Sequence, residues 1–236
     1  MWDTTFDQDA RVLGEISYHP LLLPISPTLQ AILSNLASAG MSALVVGGAV
    51  RDALTGVAAK DIDIEVYHCN YDDLAAILSQ SGRVDIVGRS FGVIKFQDPQ
   101  GNDYDFSIPR RDNKAGGVGH QNFNSTFDPA MTPDEACSRR DFTWNSMGYD
   151  PMTEEVHDYF GGRADLEAGI LRHTGPAFAE DPLRVLRGMQ FAARFGHRLA
   201  PETAELSRRL AAEILERWAD VPPDRLEGFW ADRNYT

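Results

Sequence analysis

The order of apolar and polar positions predicts an α/β region followed by a helical one. Apolar residues recur at helical spacing over residues 27–39, and this pattern stops at Gly40. Short apolar or alternating runs predict strands over 43–46, 62–67, 84–87, 92–97 and 103–108. Helices are predicted over about 49–54 and over 71–80. From Asp141 the pattern becomes helical, with amphipathic segments at 180–195 and 201–218. These elements predict a mixed sheet with helices, followed by a helical part.

The same pattern predicts two domains with a boundary near residue 150. Residues 1–150 form the α/β part and residues 151–236 the helical part. Residues 1–26, which include HPLLLPISP, are interpreted as an extended arm that packs on the body. Residues 109–138 are rich in Gly, Asp, Asn and Pro, and we predict a structureless segment there. An irregular segment of about 30 residues is usually functional or mobile.

One predicted strand carries acidic residues at alternate positions. In KDIDIEVYH, Asp61 and Asp63 alternate with Ile62 and Ile64, so both carboxylates project from one face while the isoleucines project into a core. Two carboxylates backed by so apolar a strand need a compensating partner. We therefore expect a positively charged group on the face of Asp61 and Asp63.

Composition narrows the class of protein. The chain has 236 residues, 43% of them hydrophobic, and a formal net charge of −13, which argues against broad, nonspecific coating of nucleic acid. Cys69 and Cys137 lie far apart without metal-binding spacing, which favours a reduced, cytoplasmic protein. No signal-peptide pattern is seen, and no segment approaches the roughly 18 apolar residues of a membrane span.

Gly47 and Gly48 follow the first predicted strand and precede a predicted helix. The lysine of a P-loop is missing, and the dinucleotide-binding fingerprint is not matched. Adjacent glycines at a helix start still let backbone amides approach a phosphate, and Arg51 lies one helical turn further on. The alternative is that the two glycines only form a tight turn.

The acidic strands suggest a metal site. Asp61 and Asp63 offer hard oxygen ligands for Mg²⁺, and a neighbouring strand offers Asp105, with Asp103 nearer the turn. Two such ions can activate a hydroxyl and stabilise a leaving pyrophosphate. The alternative is that these residues are solubilising acids on an edge strand. The order Gly-Gly, Asp-x-Asp, Asp-x-Asp favours the metal site.

Four longer segments carry a family resemblance. GGAVRDALTGVAAKDIDIE resembles the nucleotidyltransferase motif of class II tRNA nucleotidyltransferases (CCA-adding enzymes) and bacterial poly(A) polymerases. RRDFTWNSMGYD resembles their second motif, DYFGGRADLEAGILRHTG the link between head and neck, and EDPLRVLRGMQFAARFG the nucleotide-selecting motif. The match runs in family order from about residue 43 to 230, and DFSIPRRDNKAGGVGHQNF looks more like the CCA-adding branch.

This resemblance implies a nucleotidyltransferase head followed by an all-helical neck, and it implies roles for individual residues. Asp61 and Asp63 would bind Mg²⁺, with Asp105 as the acidic residue of the neighbouring strand. The remaining residues would contact the nucleotide. The triphosphate would face Gly47, Gly48, Arg51 and Arg140, and the ribose would bond to Asp141. The Watson–Crick edge of the base would be read by Asp181 and Arg184, with Asn145 and Arg187 beside them.

Alternatives exist for the helical residues. Asp181 before Pro182 suits a helix N-cap, and Arg184 could be its salt-bridge partner. Arg187 could instead contact RNA phosphates or solvate its helix. Trp144 is expected in the core with Phe142 and Met147, because residues of this size need burial.

The sequence also departs from the family. Trp144, Ser146 and Gln190 replace common family residues, and Asn145-Ser146 leans towards the poly(A) branch. Family members continue into body and tail domains, which we expect to be absent here.

The expected activity is template-independent addition of CMP and AMP, from CTP and ATP, to the 3′ end of RNA, with a tRNA acceptor as the preferred partner. Poly(A) addition and a truncated, noncatalytic nucleotide- or RNA-binding module are the alternatives. The oligomeric state is left open.

Overall fold

The computed structural model describes residues 21, 23–59, 61–85, 92–114 and 123–218. Most of its strands form one seven-stranded sheet. These strands are β1 Ser42–Val46, β2 Ile62–Tyr67, β3 Arg83–Asp85, β4 Val93–Gln97, β5 Asp103–Ser107, β8 Gly148–Asp150 and β9 Glu155–His157. Their order across the sheet is β3-β4-β5-β2-β1-β8-β9. Neighbouring strands are antiparallel except β2 and β5, which run parallel at the centre. The sheet is therefore mixed, as predicted.

Helices cover this sheet and continue beyond it. They are α1 Pro27–Ser38, α2 Gly48–Leu54, α3 Tyr71–Leu78, α4 Pro133–Ser138, α5 Gly162–Glu167, α6 Leu183–Phe195 and α7 Pro201–Trp218. Local chemistry fixes several starts. The Ser26 hydroxyl accepts from the Leu29 amide at the N-cap of α1, and the Asn70 side chain accepts from the Asp73 amide at that of α3. Thr132 and Glu135 form a capping box on α4.

The main core lies on one face of the sheet. Ile62, Ile64 and Val66 of β2 join Tyr104 and Phe106 of β5 in one buried cluster. Leu29, Ile32, Leu33 and Leu36 of α1 and Leu74 and Leu78 of α3 complete that face. Leu21, Leu23 and Ile25 pack against the same cluster, so the described end of the predicted arm lies on the body. Residues 1–20 and 22 are outside the described residues.

The opposite face has a smaller cluster. Leu44 and Val46 of β1 and Tyr67 of β2 pack there against Met131 and Ala136. Among the described residues, α4 is the helix that contributes to this cluster, whereas α1 and α3 contribute to the main one. The strands predicted at 43–46, 62–67, 92–97 and 103–108 are confirmed to within a residue at each end. The strand predicted at 84–87 begins at Arg83, and residues 86–87 lie outside the described residues.

Two predictions about the middle of the chain are wrong. The segment 109–138 was expected to be structureless, but β6 (Arg110–Lys114) and β7 (Phe123–Phe127) pair antiparallel and α4 follows. The region after Asp141 was expected to be helical. It instead forms a 3₁₀ turn at Thr143–Asn145 and the β8–β9 hairpin. Both regions contain strands of only three to five residues, which are too short for a clear sequence period.

The later part of the chain is mainly helical. A short parallel pair, β10 (Ile170–Leu171) and β11 (Arg198–Leu199), lies between its helices. The predicted boundary near residue 150 falls at the end of β8, and the edge strand β9 lies beyond it. The division into 1–150 and 151–236 therefore stays a prediction. Within the described ranges, no helix is long and apolar enough to cross a membrane.

Candidate active site

The acidic residues predicted from β2 and β5 meet on the open face of the sheet. The parallel register places Asp63 directly beside Asp105, and Asp61 immediately precedes β2. Asp61 and Asp63 are exposed, while Ile62 and Ile64 between and after them are buried. The side-chain alternation is thus as predicted, and one face of the sheet carries three neighbouring carboxylates.

Crowding among these carboxylates perturbs Asp63. Although Asp63 is exposed by surface area, the surrounding protein removes much of its hydration, which raises the pKa of its carboxyl. Arg140 opposes the shift, while the charges of Asp105, Asp61 and Glu65 raise the pKa further. A site with this excess of negative charge and only oxygen donors suits a hard divalent cation. Lys95 approaches Asp105 at 3.9 Å, which balances part of the remaining charge.

These residues fit Mg²⁺ as partial ligands. In the described part of the chain, no group of three or more acidic, histidine or cysteine side chains is arranged to hold a metal ion by itself. Mg²⁺ is commonly bound through one or two carboxylates, with waters and substrate phosphates as the other ligands. Asp61 and Asp63 meet that requirement, with Asp105 beside them.

Arg140 supplies the positive charge expected on this face. One of its terminal nitrogens (Nη2) donates to Glu65 Oε2 at 3.3 Å, and the hydroxyl of Tyr67 donates to the same oxygen at 2.7 Å. Burial lowers the pKa of Arg140, but Glu65 and its other neighbours outweigh this and raise it. Burial and Glu65 together raise the pKa of Tyr67, so its phenol remains a hydrogen-bond donor.

The turn at Gly47 lies next to the Arg140 guanidinium. Gly47 has φ +74° and ψ −134°, a conformation that favours glycine. A Cβ at Gly47 would lie 3.3 Å from Nη1 of Arg140 and 3.9 Å from Oδ2 of Asp63. The turn therefore brings backbone close to both the arginine and the carboxylate. Contact with a phosphate at Gly47 and Gly48 stays a prediction.

Arg51 lies inside the protein rather than on the open face. Arg51 is 6% exposed, and its guanidinium lies beside Gly48. The guanidinium donates to Asn145 Oδ1 at 2.8 Å and to the carboxylate of Asp52. It also stacks 4.9 Å from the ring centroid of Phe195 and 5.5 Å from that of Trp144. Trp144 is fully buried, as predicted, together with Phe142 and Met147.

Asn145 and Asp141 continue this network to α6. The Asn145 amide donates to Asp141 Oδ1 at 3.0 Å, and Arg187 donates to Asp141 Oδ2 through Nε and Nη2, each at 2.8 Å. Four predicted site residues, Arg51, Asn145, Asp141 and Arg187, therefore form one chain of hydrogen bonds from α2 to α6. Their predicted contacts with a nucleotide stay predictions.

Asp181 and Arg184 sit at the start of α6, but they do not form the salt bridge considered above. Asp181 Oδ1 accepts from the Leu183 amide at 3.0 Å, which resembles the capping alternative. The guanidinium of Arg184 donates to the carbonyl oxygens of Ala177 at 2.9 Å and Arg139 at 2.7 Å. Burial lowers the pKa of Arg184. These two contacts hold the arginine between the second motif, which contains Arg139, and the 3₁₀ segment Pro176–Glu180 that precedes α6.

A cavity of about 210 Å³ opens beside these groups. It is lined by Glu65, Arg110, Met131, Ala136, Arg139, Arg140 and Arg184. Four arginines against one glutamate give it a strong positive potential, which suits an anionic ligand. Sequence reasoning assigned no role to Glu65, Arg110 or Arg139. Glu65 could have been found from its alternation with Asp61 and Asp63; the placement of Arg110 depends on the fold.

Strand-borne carboxylates thus lie next to a glycine turn and a positively charged cavity. The family model described as the poly(A) polymerase head domain matches residues 43–172, more than half of the chain. The chain belongs to that family.

Known proteins show the same likeness. A relative named Multifunctional CCA protein, from Xanthomonas campestris pv. campestris (strain B100), is 41% identical over 174 residues, which cover 72% of this chain and 40% of the relative. The crystal structure of Bacillus stearothermophilus CCA-adding enzyme in complex with CTP aligns with a TM-score of 0.64 and 30% identity, covering 77% of this chain and 43% of that one.

A second structure extends the comparison. Thermotoga maritima CCA-adding enzyme complexed with tRNA_CCA aligns with a TM-score of 0.64 and 26% identity, over 82% of this chain and 44% of that one. This chain therefore spans about two-fifths of the curated relative and less than half of each solved structure.

Proposed function

We propose that this chain is the catalytic portion of a template-independent RNA nucleotidyltransferase that adds CMP and AMP to the 3′ end of tRNA. The substrates are CTP and ATP, and pyrophosphate is released. The observation that carries this proposal is the pairing of Asp63 with Asp105 on an open sheet face, next to a cavity with four arginines. The relatives named CCA proteins and CCA-adding enzymes support the choice of reaction and of tRNA.

The carboxylates position the reacting groups. Asp61 and Asp63 would hold Mg²⁺, with Asp105 as the third carboxylate and two ions as the expected number. Bound Mg²⁺ supplies Lewis-acid stabilisation of the transferring phosphoryl group and activation of the attacking hydroxyl. Rigid strands keep the carboxylates in place, so little reorganisation is needed as the RNA 3′ oxygen bonds to the α-phosphorus and the bond to pyrophosphate breaks.

The arginines bind the leaving group. Nη1 of Arg140 and Oδ2 of Asp63 both lie beside the Gly47 turn. A triphosphate bound at this turn would therefore meet the arginine and the carboxylate together. Arg139 and Arg184 line the same cavity and extend the positive surface. Charge-assisted hydrogen bonds from arginine to phosphate oxygens are stronger than neutral ones, so they hold the triphosphate in line with the attacking oxygen.

Base selection is assigned to Asp181 and Arg184. Arg184 is oriented by two backbone carbonyls, and Asp181 is fixed through Oδ1 at the start of α6. A carboxylate accepts from the amino group of cytosine or adenine, and a guanidinium donates to a ring nitrogen or carbonyl oxygen. The pair can thus accept CTP and ATP and reject bases that lack this pattern. The chain of hydrogen bonds through Arg51, Asn145, Asp141 and Arg187 ends on α6, the helix that begins beside this pair.

Incubation with each labelled nucleotide tests the function. The RNA substrates are tRNA lacking CCA, tRNA ending in CC and an unrelated RNA oligonucleotide, each with and without Mg²⁺. We expect CTP to label the first, ATP to label the second, and UTP and GTP to label neither. The buried free cysteines, Cys69 and Cys137, are compatible with the cytoplasm, where we place the reaction.

Poly(A) addition remains the second candidate because the matching family model is described as a poly(A) polymerase head domain. Long A tails on any RNA, with no use of CTP, would identify that activity instead. Binding of CTP and ATP without incorporation into any RNA would support the noncatalytic module.

A further inference from the structure

We propose that Glu65 is a positioning residue: together with the Tyr67 hydroxyl, it holds the Arg140 guanidinium at the Gly47 turn and keeps it away from Asp63. This inference rests on the proposed function, because it concerns the same triphosphate and metal site. It assigns to Glu65 and Tyr67 a role in how that site is arranged.

The burial of β2 changes steadily along its acidic face. Asp61 and Asp63 are exposed, Glu65 is partly buried and Tyr67 is fully buried. Glu65 therefore lies where the open carboxylate face meets the small cluster under α4. Its Oε2 accepts from the Tyr67 hydroxyl at 2.7 Å and from Arg140 at 3.3 Å. The Tyr67 contact anchors the carboxylate from the buried side, so Glu65 presents a fixed acceptor to Arg140.

The other side of Arg140 faces the reacting groups. Its Nη1 and Asp63 Oδ2 lie 3.3 Å and 3.9 Å from the same point, the place where a Cβ on Gly47 would be. Arg140 also lowers the electrostatic cost of the Asp63 carboxylate. Its Nε is buried and has no hydrogen-bond partner among the described residues, although the cavity lies beside it. Nη2 is thus anchored on Glu65, while Nη1 lies at the Gly47 turn, where the proposed triphosphate would approach.

Stability alone does not explain this arrangement. The side chains of Glu65 and Arg140 are only 12% and 25% exposed, and removing two charges from water offsets much of their attraction. Without Glu65, Arg140 can pair with Asp63, which removes one arginine from the triphosphate and one carboxylate from Mg²⁺. The Glu65 contact prevents this pairing.

Glu65→Gln tests the inference directly. Calorimetry should show CTP binding in Mg²⁺ weakened about tenfold, because a charge-assisted contact is lost on Arg140. Binding of CMP, which lacks the β- and γ-phosphates, should change less than twofold. The Mg²⁺ concentration needed for half-maximal CTP binding should rise. Glu155→Gln, on the exposed edge strand β9, is the matched control and should change none of these values.

Three further arms separate positioning from general damage. Tyr67→Phe removes only the hydroxyl that anchors Glu65 and should weaken CTP binding less than Glu65→Gln does. Glu65→Asp keeps the charge but withdraws the carboxylate, so it should also weaken CTP binding. In an Arg140→Lys background, Glu65→Gln should have little further effect, since Glu65 acts through that arginine.

The outcomes are distinct. Unchanged or tighter CTP binding by folded Glu65→Gln would overturn the inference, since tighter binding means Glu65 only competes with phosphate for Arg140. If the unaltered chain binds neither CTP nor ATP, the proposed function fails. The crystal structure of Glu65→Gln then decides the inference separately: an Arg140 that moves towards Asp63 supports it, and an Arg140 that stays in place overturns it.

Discussion

The two faces of the seven-stranded sheet are made by the same strands but have opposite properties. On one face, Ile62, Ile64 and Phe106 are buried in the main core under α1 and α3. On the other face, Asp61, Asp63 and Asp105 lie beside a cavity lined by arginines. The buried apolar residues described on that face form a small cluster under α4. The first face holds the fold together, and the second face carries the proposed chemistry.

This contrast shows how stability and function are separated within one strand. Period-two alternation lets β2 place apolar residues on the stabilising face and acids on the reactive face. Burial of the apolar face stabilises the folded state. The acidic face destabilises it, because like charges crowd around Asp63. Substitutions one residue apart should therefore affect different properties.

Asp63→Ala is expected to give the largest effect, and on activity. Nucleotide incorporation should fall about a thousandfold or more, because a metal ligand is lost and metal stabilisation of the transition state is worth several kcal/mol. Thermal unfolding should stay unchanged or shift slightly upward, since like-charge repulsion is relieved. Steady-state kinetics and circular dichroism measure the two properties together.

Asp103→Ala is the matched control for that change. Asp103 is the first residue of β5, is exposed, and accepts a hydrogen bond from the Gln97 side chain. It should retain full incorporation. Wild-type turnover by Asp63→Ala would refute the metal assignment, and we expect Asp61→Ala to behave as Asp63→Ala does.

Ile64→Ala is the converse experiment on the buried face. Removing a fully buried isoleucine should lower the free energy of unfolding by about 2–5 kcal/mol. The activity of each folded molecule should be largely retained, because the side chain points away from the carboxylates. Urea unfolding gives the stability, and initial rates at low temperature give the activity. A selective loss of Mg²⁺-dependent CTP binding at full stability would contradict the separation of the two faces.

Arg184→Ala should have an intermediate effect on the open face. Preference for CTP and ATP over UTP and GTP should weaken by about 1–3 kcal/mol, which is the cost of one lost polar base contact. Competition between labelled nucleotides measures this preference. Some stability should also be lost, because the carbonyls of Ala177 and Arg139 lose their donor. A lower melting temperature with unchanged preference would show that Arg184 is only structural.

The smallest expected effect is on the pH dependence of stability. The pKa of Asp63 is raised in the folded protein, chiefly because the surrounding protein removes hydration from its carboxyl, so the folded state binds this proton more tightly than the unfolded state does. Stability should therefore fall as pH rises from the ordinary aspartate pKa through the raised value. Asp63→Asn should remove that part of the pH dependence, and Ile64→Val should preserve it. Urea unfolding across the acidic range tests this; an unaltered profile in Asp63→Asn would contradict the shift.

The local sequence determined those strands and helices that carry a regular alternation of apolar and polar residues. The strands at 43–46, 62–67 and 103–108 and the helix at 27–39 could be predicted because apolar periodicity and turn residues are local properties. The placement of Asp61 and Asp63 on one face followed from the same alternation. The family motifs added which residues to expect near a nucleotide, since their order along the chain can be read without coordinates.

Tertiary structure decided which of these residues meet. The register that puts Asp63 beside Asp105, and the contact of Arg140 with Glu65 across 75 positions, depend on strand pairing and chain reversal. Burial of Arg51 against Asn145, 94 positions away, could not be seen in its local sequence either. The β6–β7 pair was missed because RRDNK and FNSTF lack a strong apolar alternation, and β8 and β9 are three residues long. Periodicity reports only how one segment faces a core, whereas contacts between distant segments depend on how all the segments pack together.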